Sequence, residues 1–243
     1  MSQQPFPLPQ VQSISRLQVA EDTRPSVGRA LGRAFTIVRR ASERPGDAVR
    51  TAIAIARGYW YRGICRLFGR RFRAGTGLRI YGSLRVRGPG EVVFGANVSV
   101  LGHATPWTYS DDARIVVGDR VLLGSARFGC IREITIGDDC ILADVSIADT
   151  DFHSTRADRR SERAPIRVAP VHIARNVWLA QSATLLPGTV VGENSVVSSG
   201  AVCTRQYPAN VIIMGNPAKI AAPIPGVESH GGSSEAALTV GVT

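Results

Sequence analysis

From Ile173 onward the sequence advances in sixes: IARNVW, LAQSAT, LLPGTV, VGENSV, VSSGAV, CTRQYP. Each hexad opens on an aliphatic residue or a thiol, namely Ile173, Leu179, Leu185, Val191, Val197 and Cys203. The fifth place holds Val177, Ala183, Thr189, Ser195, Ala201 and then Tyr207, mostly small side chains. A helix repeats near 3.6 residues and a strand near 2, so neither produces this spacing. A parallel β-helix with three short, flat strands per turn does. The first residue of each hexad points inward and stacks on the coil above, while a small neighbour lets the chain turn a corner. Self-similarity at fixed period is the mark of a solenoid. Less regular pieces, IYGSLR–VRGPGE, FGANVS–VLGHAT, VGDRVL–LGSARF and IGDDC, carry the pattern back to about Leu78. The sequence therefore predicts a mainly β chain, a left-handed parallel β-helix over 76–222. A β-sandwich would instead alternate and place hairpin turns between its strands.

Charge divides the chain at the start of that region. Residues 1–75 hold fourteen arginines against four acidic residues, whereas basic and acidic residues balance from 76 to 243. Residues 1–25 are rich in Pro and Gln and read as a disordered arm, and 223–243 as a Gly/Ser-rich disordered tail. Between 26 and 75 lies a basic amphipathic helical segment. Val49, Ile53, Ala56, Trp60, Ile64 and Leu67 follow helical spacing, with Arg50, Arg57, Arg62, Arg66, Arg70 and Arg73 on the other sectors. Two roles fit it: a helix lying on an anionic membrane surface, or a cap on the open first coil. Arginine alone does not make a nucleic-acid binder, and no nucleic-acid motif accompanies it. No apolar run reaches the roughly 18 residues of a membrane span. Cys65, Cys130, Cys140 and Cys203 lack CxxC spacing and read as free, mostly buried thiols of a reducing cytoplasm. A cytoplasmic protein, peripheral to the inner membrane face, is the expectation.

The solenoid is interrupted once, by IADTDFHSTRADRRSERAP at 147–165. A neutral imidazole titrates near operating pH and is the usual group for taking a proton from a poor nucleophile. His153 is the candidate, with Asp149 and Asp151 in the same turn as its orienting partners. His172 falls in an ordinary strand, His103 beside the TPWTYSDD bulge, and His230 in the tail. No pair of histidines has close metal-ligand spacing, which disfavours a zinc enzyme of γ-carbonic-anhydrase type.

ADTDFHS, the run PVHIARNVWLAQSATLLPGTVVGENSVVSSGAVCTRQYPAN and the ending IIMGNPAKI resemble the hexapeptide-repeat acyltransferases. Within that family the resemblance is to the maltose/galactoside acetyltransferase-like and polysaccharide O-acetyltransferase branch. It implies a homotrimer with acetyl-CoA lying between adjacent β-helices, no metal, and a general-base histidine mapping onto His153. It also implies a pantetheine groove at Ala180 and Ser199, and Thr204, Arg205 and Lys219 near the nucleotide end. Arg205 stands where the family has Lys, and Ser199 where Ala is more usual. The family's polar acceptor contact falls near Ser125, where no Asn stands. Trp107 and Tyr109 could stack on a sugar ring or pack a loop. The implied activity is acetyl transfer to a sugar or glycan hydroxyl in polysaccharide biosynthesis. Alternatives are N-acyl transfer to an amino sugar and a non-catalytic trimeric scaffold.

Overall fold

A computed structural model describes residues 45–161 and 163–226. The arm 1–25, residues 26–44, His230 and the tail from 227 lie outside the described residues. The chain divides at Ile53–Ala54, and before that boundary only the opening turns of helix α1 (Pro45–Leu67) are described.

From Phe72 the backbone winds into a parallel β-solenoid of about seven coils. Its three faces are a seven-stranded, an eight-stranded and a six-stranded sheet. The only antiparallel pairing between named strands is the last, where β21 (Lys219–Pro223) folds back on β20 (Val211–Met214). In the hexad region the register step is eighteen residues, three hexads: Ile173 lies on Val191, Leu179 on Val197 and Leu185 on Cys203. The inward residues of the hexads are buried, as are all the fifth-position residues from Val177 to Tyr207. The repeat therefore records which side chains enter the core.

One corner shows why the repeat carries the residues it does. Asn97, Arg120, Asp139, Asn176, Asn194 and Asn210 all adopt left-handed backbone, φ between 54° and 62°. Asn and Asp tolerate that region better than other residues with a Cβ. Asn176 donates to Asn194, and Asn194 to Asn210, each at 2.9 Å. Arg120, the least suited residue of the series, is held by a two-pronged bond to Asp139 at 2.6 and 2.9 Å. The glycines beside this corner stack without room for a side chain: a methyl on Gly118 would overlap Asp138 and the backbone of Gly137.

Helix α1 meets the first coil through small residues. Ala54, Gly58 and Cys65 are buried and Tyr61 is half-buried. Gly58 lies so close to the Leu78 carbonyl that no Cβ fits between them. Tyr61 packs edge-on against Phe72 at 5.5 Å and accepts the Val86 N–H at 2.9 Å. Arg57 donates to the carbonyls of Tyr81 and Gly82 at 2.9 and 2.6 Å. Small residues, not the apolar stripe, make this contact. The large apolar stripe does not face the solenoid: Trp60 and Leu67 are exposed and only Ile64 is partly covered. Close approach of a helix to a coil selects missing side-chain volume, and hydrophobic spacing does not report that.

Cys65, Cys130, Cys140 and Cys203 are free and buried. No helix among the described residues is long and apolar enough to cross a membrane.

Candidate active site

The interruption leaves the solenoid after β12 (Val145–Ala148) and returns before β13 (Val171–Ile173). It leaves and returns as a short two-stranded ribbon. The Ala169 N–H donates to the Asp149 carbonyl at 2.8 Å, Thr150 bridges Val168 antiparallel, and the Asp151 N–H donates to the Arg167 carbonyl at 3.1 Å. Arg167 in turn donates to the Pro187 carbonyl of the next coil at 2.8 Å. At the ribbon's tip the His153 N–H closes onto the Asp151 carbonyl at 2.7 Å. The residue in between, Phe152, is left-handed with φ 58°. For a bulky residue that conformation costs about 1–2 kcal/mol. The ring offsets it by filling a notch over Gly129, where any Cβ would overlap it. The turn is thus fixed from both sides, and the imidazole of His153 stands exposed beyond it. Among the described residues no side chain hydrogen-bonds that imidazole.

Asp149 is not its orienting partner. The carboxylate is fully buried, and it accepts the N–H groups of Ile131, Arg132 and Glu133 at 2.8, 2.6 and 2.8 Å. It closes the corner of the preceding coil, a role that its place two residues before the turn did not disclose. Burial first, and then the Asp149 charge, push the neighbouring Cys130 thiol far above its ordinary range. Asp151 stays beside His153, bonded to it through the backbone.

Trp107 and Tyr109 stack on each other at 5.0 Å and 14°, the Arg87 guanidinium lies over the Trp107 ring, and Phe152 meets Tyr109 edge-on at 5.1 Å. The stack abuts the His153 loop through Phe152, and both rings keep an exposed side, Trp107 at 38% and Tyr109 at 44%. Ser125 sits at the opposite end of β9 (Ala126–Cys130), accepting the His103 N–H at 3.2 Å. It is therefore a strand's length from the His153 corner. His103 bonds Ser83 and His172 bonds Thr135, both through Nδ1.

The remaining candidates fall on two edges of the prism. Thr204 and Arg205 lie between β18 (Val202–Cys203) and β19 (Gln206–Tyr207), on the edge that carries the His153 loop, two coils further on. Ala180 and Ser199 lie on the edge between the eight- and six-stranded sheets. Ala180 is buried and Ser199 exposed. The pairing of Leu179 with Val197 puts Ala180 in register with Ser198, one residue short of the expected partner. Open space adjoins Ser199, since a methyl on Gly200 would meet nothing. Lys219 is exposed on β21. Among the described residues, no group of His, Cys, Asp and Glu is placed to hold a metal ion.

No protein-family model matches the chain. The putative lipopolysaccharide biosynthesis O-acetyl transferase WbbJ of Escherichia coli K12 is 32% identical over 161 residues, covering 63% of this chain and 69% of that protein. The chain belongs to the hexapeptide-repeat acyltransferases. The putative colanic acid biosynthesis acetyltransferase WcaF of the same organism is 29% identical over 116 residues, 47% of this acyltransferase and 58% of its own length. Among solved structures, a mutant of AntD, an N-acyltransferase from Bacillus cereus in complex with dTDP-4-amino-4,6-dideoxyglucose and coenzyme A, superposes with a TM-score of 0.54. It shares 12% identity and covers 67% of this acyltransferase and 89% of AntD, so the likeness is one of fold.

Proposed function

We propose that this acyltransferase moves an acetyl group from acetyl-CoA to a hydroxyl of a sugar or glycan, with His153 as general base. The observation that carries the reading is the loop tip: an exposed imidazole on a turn held by Phe152 in the Gly129 notch and by the Asp149–Asp151 ribbon. A neutral ring nitrogen there takes the proton of the acceptor hydroxyl as its oxygen attacks the thioester carbonyl. The C–S bond then breaks, and the imidazolium returns the proton to the leaving thiolate. Similarity to WbbJ and WcaF supports a glycan acceptor. The exposed cations Arg205 and Lys219 suit the donor's phosphates, and the corner at Ala180 and Ser199 suits its narrow arm.

A homotrimer completes this reading. The candidate residues occupy two edges of one prism, so a second copy laid alongside brings the His153 edge of one chain toward the Ala180 edge of the other. An outward strip of Leu122, Ile141, Trp178, Val196 and Ile212, in register across five coils, gives such a copy an apolar face to cover.

The experiment is an acceptor screen with labelled acetyl-CoA, run on the wild type and His153→Ala. The variant should keep its assembly and CoA binding while turnover falls about 10²-fold or more. Near wild-type turnover in His153→Ala would sink the assignment.

A further inference from the structure

Residues 54–90 contain nine arginines and no acidic residue. Several of these arginines bond backbone carbonyls, which hold a guanidinium in place without neutralising it: Arg57, Arg62, Arg70 and Arg71 all do so. Over the same surface the helix presents large apolar side chains to solvent. Trp60 is 72% exposed, Leu67 80% and Phe68 72%, with Tyr59 beside them at 61%. Trp60 and Ile64 are spaced four apart on the helix, and Phe68, just past its end, continues the spacing with its N–H bonded to the Ile64 carbonyl at 3.0 Å. Ile64 also lines a cavity of about 310 Å³ between the helix and the first coil, whose wall includes Arg70, Arg85 and Arg87. An apolar row bordering a cationic hollow is an amphiphile-shaped surface. The first coil is met by the small residues Ala54, Gly58 and Cys65, and packing among the described residues leaves Trp60, Leu67 and Phe68 uncovered.

We infer that this face of α1, with the arginine-lined hollow beside it, docks on an anionic phospholipid bilayer. Trp60, Leu67 and Phe68 enter the headgroup–acyl boundary, and Arg66, Arg70, Arg85 and Arg87 meet lipid phosphates. Each part matches a feature of interfacial helices: an apolar face with Trp and Phe, flanking cations, and low net hydrophobicity. Surface attraction contributes about 1 kcal/mol per arginine near the membrane, which is roughly fivefold in binding for each one.

The test is co-sedimentation of the full chain with two kinds of vesicle, neutral phosphatidylcholine alone and phosphatidylcholine mixed with phosphatidylglycerol. The protein should pellet with the anionic vesicles at low salt. It should release as salt rises past about 0.1 M, where charges are screened beyond roughly 10 Å. Trp60→Ser with Phe68→Ser, and separately Arg66→Ser with Arg85→Ser, should each weaken binding by roughly tenfold or more at unchanged melting temperature. Acetyl transfer to a small soluble acceptor should be the same in all of them. The proposal is overturned if the intact chain ignores anionic vesicles at low salt. It is equally overturned if both double variants pellet like the wild type, which would place the lipid contact in residues 1–44.

Discussion

Three backbone N–H groups converge on the buried carboxylate of Asp149, and what they hold is the corner from which the His153 loop departs. Asp149→Asn keeps the shape but removes the charge and turns one acceptor into a donor facing a donor. It should destabilise the fold by roughly 2–4 kcal/mol, read as a fall in melting temperature. A variant that melts normally but has lost turnover would restore Asp149 to the orienting role. On the donor side, Arg205→Ala and Lys219→Ala should each weaken acetyl-CoA binding by roughly 1.5–3 kcal/mol if they meet its phosphates. The loss should be smaller with dephospho-acetyl-CoA where the ribose phosphate is the contact. Buried thiols govern the alkaline side. Burial raises Cys140 and Cys203 to about 11 each. A pKa raised on folding favours the protonated folded form. That contribution is whole below the unfolded thiol value, about 8.5, and disappears as pH climbs from there through about 11. Melting temperature should therefore fall across that window. Replacing both thiols by Ala should flatten the slope even if it lowers the starting value.

Glycines at equivalent helical depth can behave oppositely, and α1 offers the comparison. Gly63 has open space around its Cβ position, so Gly63→Ala should gain up to about 1 kcal/mol of helix propensity. Gly58→Ala gains the same propensity but drives a methyl into the Leu78 carbonyl, so it should lift the helix and lower the melting temperature. Equal responses would mean that the helix does not press on the first coil. The loop has its own test. Gly129→Ala evicts the Phe152 ring and should cut turnover while the hexad coils stay folded by circular dichroism. These elements also show what the sequence disclosed. The hexads were readable because each inward residue sees only its counterparts one coil away, so the pattern is local. Which helix face meets the first coil was not legible, because the contact is made by what Ala54 and Gly58 lack. Tyr109 and Phe152 were beyond reach for another reason: their contact joins residues 43 positions apart, outside any repeat.

Assembly belongs to the molecule as a whole. If the strip from Leu122 to Ile212 faces a neighbour, Trp178→Glu should yield monomers in sedimentation velocity, with turnover lost and the melting transition still cooperative. Trimers that persist in this variant would move the contact to another face. The two ends of the solenoid are treated differently from its sides. At the first coil, α1 lies over the strands. At the last, β21 pairs back on β20, and Gly215 and Ala218 take both hydrogen-bonding groups of Val202. A stack of parallel coils is otherwise a template on which further identical coils could add, since each exposed rung repeats the donors and acceptors of the one before. Among the described residues, α1 lies over the first coil and an antiparallel strand follows the last, so neither end repeats the parallel pattern of the coils. Each end thus differs from the coils between, and the flanks are where the rungs present repeating faces to another copy.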